Sequence, residues 1–124
     1  MPLSVQPYQT GHLITSGSPS LAAGAGAGTG PSVQLTGADS AGVITVTTGT
    51  LPTAAATVVE VTFGSAFDTA PAVVLSPGNA VTALLSGVTM ARAVASTTVL
   101  TLTAGSTGLT AATTYVWNYV TVGW

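Results

Sequence analysis

The chain has 124 residues with no cysteine and no lysine, and its charged side chains are Asp39, Glu60, Asp68 and Arg92, for a formal net charge of −2. That length predicts one domain with its own core, and the missing cysteine excludes disulfides and thiolate metal sites. A single arginine cannot form the cationic cluster that phosphate binding draws on, which argues against nucleic acid and against an anionic membrane surface as partners.

An ordinary domain is about a quarter charged. Here threonine and serine take over the polar surface, so the like-charge repulsion that keeps monomers apart is nearly gone. The composition therefore reads as that of a chain packed against other subunits. The mean hydropathy is positive, yet no run of about 18 apolar residues exists to span a bilayer as a helix. Residues 1–7 lack the basic region and apolar core of a secretory signal. A transmembrane β-barrel is argued against by that missing signal and by too few segments of about 9–11 residues.

Residues 1–31 show no sustained periodicity. They contain Pro2, Pro7, Pro19 and Pro31 and the run Gly24-Ala25-Gly26-Ala27-Gly28-Thr29-Gly30. Glycine costs the most backbone entropy to order, so this run is a linker by composition. It becomes an ordered arm when a neighbouring subunit holds it. The expected organisation is an extended Gly/Ala/Pro-rich arm over 1–31 and a β-domain over 32–124. Within the arm, His12, Leu13 and Ile14 are candidate interface residues.

Beyond the arm the text reads as strands. Residues 43–47 (VITVT) are β-branched throughout. Residues 57–63 (TVVEVTF) alternate, with Val59, Val61 and Phe63 on one face and Glu60 and Thr62 on the other. Residues 72–75 (AVVL) form a short apolar run between Pro71 and Pro77. Residues 79–85, following Pro77-Gly78, are ambiguous and fit a helical turn capped by Asn79. Residues 99–103 (VLTLT) alternate again, and residues 114–122 (TYVWNYVTV) make the longest strand. This spacing of strand signals suits an all-β sandwich, of jelly-roll or Greek-key-like type.

A weak internal repeat lies within this region. Residues 43–49 (VITVTTG) match 99–105 (VLTLTAG), and 53–55 (TAA) match 110–112 (TAA). Each copy reads as strand, glycine-containing loop, strand, and the pair is expected to form two wide hairpins closing the two ends of the sandwich. Two copies are too few for a solenoid.

Chemistry is sparse. Asp39 and Asp68 sit in turn contexts and Glu60 lies mid-strand, so solvent-facing or interface roles are expected for all three. His12 has no Gly-x-Ser-x-Gly partner context, and one histidine with scattered acids does not make a metal site. The Gly-rich run lacks the Lys-Ser/Thr ending of a phosphate loop. No catalytic residue, cofactor or metal is expected, and the chain reads as a non-enzyme. Arg92, the single cation, is a candidate interface residue that pairs with Glu60, pairs with a neighbour's carboxylate, or is simply exposed; arginine is enriched at interface hot spots. Tyr115, Trp117 and Tyr119 share one face of the last strand. They are either core or a stacking platform for a sugar. The Thr45/Thr47 and Thr101/Thr103 pairs fall short of the long ranks that ice binding needs.

Residues 42–50, 61–63, 70–80 (APAVVLSPGNA) and 113–123 (TTYVWNYVTVG) together resemble the β-rich terminal domains of tailed-phage virion proteins: fibre, minor tail and head-decoration proteins. The likeness covers about residues 40–124 and leaves the arm uncovered. It implies a β-sandwich in a symmetric oligomer, often a trimer, located in the virion. A free-standing module with an arm fits a capsid decoration or minor capsid protein, with copies of itself and the major capsid protein as partners. With no lysine, attachment to the capsid surface is expected to be noncovalent. The alternative is a fibre, spike or tail module that binds host-surface glycan.

Overall fold

The computed structural model describes residues 17–123. They form eight strands in two four-stranded antiparallel sheets. The strands are β1 (Ser20–Ala23), β2 (Ser32–Gly37), β3 (Ala41–Thr47), β4 (Thr57–Thr62), β5 (Ala72–Pro77), β6 (Arg92–Ala95), β7 (Val99–Thr103) and β8 (Thr114–Val122). One sheet has the order β1-β4-β7-β6 and the other β2-β3-β8-β5. The expected all-β sandwich is therefore present, with one short helix, α1 (Ala80–Ala83), capped by Asn79 as its sequence suggests: the Asn79 side chain accepts from the Thr82 N–H at 3.0 Å.

Alternation decides which residues meet between the sheets, because successive strand side chains point to opposite faces. Val59 and Val61 of β4 and Leu100 and Leu102 of β7 face inward from one sheet. Ile44 and Val46 of β3 and Tyr115, Trp117 and Tyr119 of β8 face inward from the other. All nine are buried. Glu60, Thr62, Thr45 and Asn118 occupy the intervening positions. A bulge between Thr57 and Val59 lets Val58 be buried as well.

The internal repeat takes a form different from two hairpins. β3 and β4 lie in different sheets, as do β7 and β8. Each loop is thus an arch from one sheet to the other, and both arches stand at the same end of the sandwich, where they bond to each other. The bonds come in matching pairs. The Thr48 N–H donates to Thr113 O and the Ala104 N–H to Ala56 O, both at 2.9 Å. The Ala55 N–H donates to Gly105 O at 2.9 Å and the Ala112 N–H to Gly49 O at 3.2 Å. Ala55 and Ala112, at equivalent places in the repeat, share the left-handed conformation (φ 57° and 51°). Exchanging β1–β4 with β5–β8 maps one sheet onto the other. The domain is two four-strand halves related by an approximate internal two-fold, each giving two strands to each sheet. At the centre of this junction Gly49 has no room for a side chain, since a Cβ there would strike the Thr29 carbonyl oxygen.

The boundary expected at residue 31 shifts as well. β1 pairs with β4 in the register Ser20↔Thr62 to Ala23↔Val59. The Gly/Ala run that follows packs into the sandwich, with Ala27 fully buried. Residues 20–31 thus belong to the β-domain. The physical reason is close approach: a Cβ on Gly26 would stand 2.6 Å from the Ala56 carbonyl oxygen, so only a glycine-rich segment fits this end of the sandwich. His12, Leu13 and Ile14 lie outside the described residues.

Candidate functional site

The two halves differ most in the segment that crosses from one sheet to the other. In the first half residues 24–31 make this crossing through a single 3-10 turn, Ala25–Ala27, with Gly26 and Ala27 buried. In the second half the matching crossing, residues 78–91, is longer and holds α1 and a 3-10 turn at Gly87–Thr89. Polar side chains fix it in place. The Asn79 side chain donates to Thr114 O at 3.0 Å, and the Thr82 hydroxyl oxygen accepts from the Val116 N–H at 2.8 Å, tying α1 to β8. The Ser86 N–H donates to the Thr89 hydroxyl oxygen at 2.9 Å, which tightens the second turn.

So anchored, the crossing buries Thr82 and Ala91, packs Leu85 against the core and turns its other large apolar side chains outward. Leu84 is 80% exposed, Val88 60%, Met90 50% and Val81 41%. Between this lobe and β5 runs an open groove of about 240 Å³, lined by Leu75, Pro77, Leu85 and Met90 with Trp117 at its floor. Ligand pockets for drug-sized molecules begin near 300 Å³, so the groove is smaller than such a pocket. A second hollow of about 340 Å³ lies between Val88, Met90, Arg92 and Ser106.

The aromatic face of β8 is core. Tyr115, Trp117 and Tyr119 are 2%, 4% and 1% exposed, and the Tyr115 and Trp117 rings stack with centroids 5.7 Å apart. Rings this buried present no stacking face, so these three residues are core in place of a platform, with Trp117 also bordering the groove beside β5. Their polar tips are used internally. The Tyr119 hydroxyl donates to Ala38 O at 2.6 Å, and the Tyr115 hydroxyl oxygen accepts from the Thr110 N–H at 3.0 Å. Burial, with a smaller contribution from the charge of Asp39, pushes the Tyr119 hydroxyl up to about 12.

Asp39 also departs from expectation. It is 2% exposed, and neither solvent nor a partner is what it faces. Its carboxylate accepts from the Gly64 N–H (2.9 Å) and the Ser65 N–H (3.0 Å), and its carbonyl accepts from the Thr121 hydroxyl (2.7 Å). It clamps the β2–β3 turn to the segment leaving β4. The buried neighbours that create this setting are distant in sequence, so the Gly-Ala-Asp-Ser-Ala-Gly context shows only a turn. Glu60 and Asp68 are exposed as expected, and Arg92 is exposed on the edge strand β6. Among the described residues no ion pair joins Arg92 to Glu60, and no group of three or more His, Cys, Asp or Glu side chains is placed to hold a metal.

The outer face of the β2-β3-β8-β5 sheet adds a further apolar area. Val74 pairs with Val120 across strands, Ala72 with Val122, and Ala41 with Val120. The three valines are 59%, 46% and 52% exposed. Comparison with family models, with curated proteins and with solved structures finds no match for the chain.

Proposed function

We propose that this protein is a non-enzymatic structural subunit that attaches noncovalently to a larger shell, as a capsid decoration or cementing protein does. One observation carries the reading. The crossing at residues 78–91 breaks the internal two-fold with exposed Val81, Leu84, Val88 and Met90, whereas the equivalent crossing closes the fold with Gly26 and Ala27 buried. Closing this sandwich does not require an outward apolar lobe. Large apolar patches on a soluble surface favour association.

The chemistry of the rest of the molecule agrees. Asp39 is committed to backbone bonds, and the three core aromatics are committed to packing. With so few charges, affinity comes from buried apolar area and neutral hydrogen bonds. The virion placement follows from the resemblance of residues 40–124 to tailed-phage virion domains, with the major capsid protein and further copies of the chain as partners. The test is a particle comparison. Virions lacking the protein lose resistance to heat or force and still adsorb to cells. Unchanged robustness with lost adsorption rejects the reading in favour of host binding. Attachment survives raised salt, because little of it is electrostatic.

A further inference from the structure

The outer face of the β1-β4-β7-β6 sheet holds the chain's single cation and one of its three acids, and it leaves them apart. Glu60 on β4 and Val94 on β6 both stand opposite Thr101 of β7, and Arg92 stands opposite Thr103. Arg92 and Glu60 are therefore separated by two strand spacings, about 10 Å, and by two residues along the strands. Both point outward, since Val59 and Val61 flank Glu60 on the inward side, and Ala93 packs against the core behind Arg92. Among the described residues neither takes part in an ion pair. Between and around them the face carries small and polar side chains, Thr62, Thr101, Thr103 and Ala22, together with Val94, which is 71% exposed.

We propose that this face is a self-association surface on which Arg92 of each copy pairs with Glu60 of the other. A patch that carries both members of a pair it cannot close internally is self-complementary. Two such patches meet face to face about a two-fold axis, and residue i then contacts residue j while j contacts i. Here the axis runs over β7 between Thr101 and Thr103, the midpoint of the two charges, and both ion pairs form at once. Val94 supplies the apolar contact beside them. A head-to-tail ring would need donor and acceptor on different sides of the molecule, and here they share one face. A four-stranded face of this size is small against the roughly 800 Å² per partner of a standard interface. The association is correspondingly weak, and the two ion pairs fix its register more than its strength. The inference deepens the self-contact within the capsid reading and is tested separately from attachment, although Arg92 also borders the hollow beside Val88 and Met90 of the 78–91 lobe.

Sedimentation equilibrium of the full chain, from micromolar to several hundred micromolar, tests it. The expected result is a reversible dimer that weakens as salt is raised. Arg92→Glu and Glu60→Arg each place like charges together and weaken association about tenfold or more. The double variant R92E/E60R restores it to within about threefold of the parent. All three variants keep the parent's circular dichroism and melting temperature, both residues being exposed. A parent that stays monomeric throughout, single variants that associate like the parent, or a double variant that stays dissociated would each overturn the proposal. Loss of self-association with attachment intact leaves the shell-binding reading standing, and the converse separates the two in the other direction.

Discussion

The Thr48 N–H donates to the Thr113 carbonyl at 2.9 Å, and the Thr113 N–H returns the bond to the Thr48 hydroxyl oxygen at 3.0 Å. The same hydroxyl donates to Thr110 O at 2.6 Å. Thr48 is 3% exposed and its partners are part-buried, so water replaces these bonds only in part. Thr48→Val keeps the volume and leaves the Thr113 N–H and Thr110 carbonyl without this partner. Buried polar groups left unpaired cost about 1–3 kcal/mol each. The expected loss of unfolding free energy is about 2 kcal/mol, read by urea denaturation, and a change below about 0.5 kcal/mol would contradict the role given to this residue.

Asp39 offers a graded test. Asp39→Ala removes both acceptors of the Gly64 and Ser65 N–H groups. Asp39→Asn keeps one acceptor oxygen. Bonds to a charged acceptor are worth about 1.5–3 kcal/mol, so the alanine variant is the less stable of the two by at least about 1 kcal/mol. Equal stabilities by thermal denaturation would show that the carboxylate is not the clamp.

Tyr119 sets an alkaline limit. Its hydroxyl is pushed up to about 12 from the ordinary 10.0, by burial first and by Asp39 second. A group with a raised pKa in the folded state contributes its full stability below the unfolded value. That contribution falls as pH rises toward the folded value, because the native state binds more protons than the unfolded one in this interval. Stability therefore declines between pH 10 and about 12. Tyr119→Phe flattens this decline and lowers stability at neutral pH through the lost bond to Ala38 O. Denaturation midpoints measured across that range for both proteins supply the comparison.

The lobe and the core aromatics separate binding from folding. Leu84→Ser with Val88→Ser alters side chains that are 80% and 60% exposed. The fold changes by less than about 0.5 kcal/mol for each, and attachment to the shell is reduced. Trp117→Ala acts first on the fold. It empties a core position and costs about 3–5 kcal/mol. Melting curves beside co-sedimentation with stripped particles read both outcomes, and a lobe variant that attaches normally counts against the attachment surface.

What the residues announce and what they conceal follow from locality. β7 and β8 are readable to the residue, and β3, β4 and β5 nearly so, because alternation and β-branching are local signals. β1 (Ser20–Ala23) and β6 (Arg92–Ala95) are short edge strands of small residues with little to distinguish them. β2 is obscured by its glycine-rich approach. That approach looks like a linker because the usual apolar periodicity is replaced by close backbone contact, of which Gly26 against the Ala56 carbonyl is an instance. The repeat was visible as 43–49 against 99–105, yet the sheet each strand joins depends on partners elsewhere in the chain. Arches and hairpins carry the same local text. Of the candidate site, the outward placement of Glu60 is legible, whereas exposure is only one of the alternatives open for Arg92. The apolar lobe is not legible, since Leu84 and Val88 read equally well as core.

The interleaving of the halves governs how the chain reaches this state. β3 pairs with β8 over Ala41↔Val120 to Thr47↔Thr114, and β4 pairs with β7. The β1-β4-β7-β6 sheet cannot close until β7 arrives and the other sheet not until β8, so the first half has no stable resting place while the second is still being made. Pairings so distant in sequence pay their loop-closure entropy before any contact rewards it. Refolding is expected to be slow and cooperative, with unpaired, uncharged strands exposed meanwhile to collision with other chains. Recovery after dilution from denaturant will then fall as protein concentration rises, a kinetic hazard of a surface with so little charge to keep chains apart.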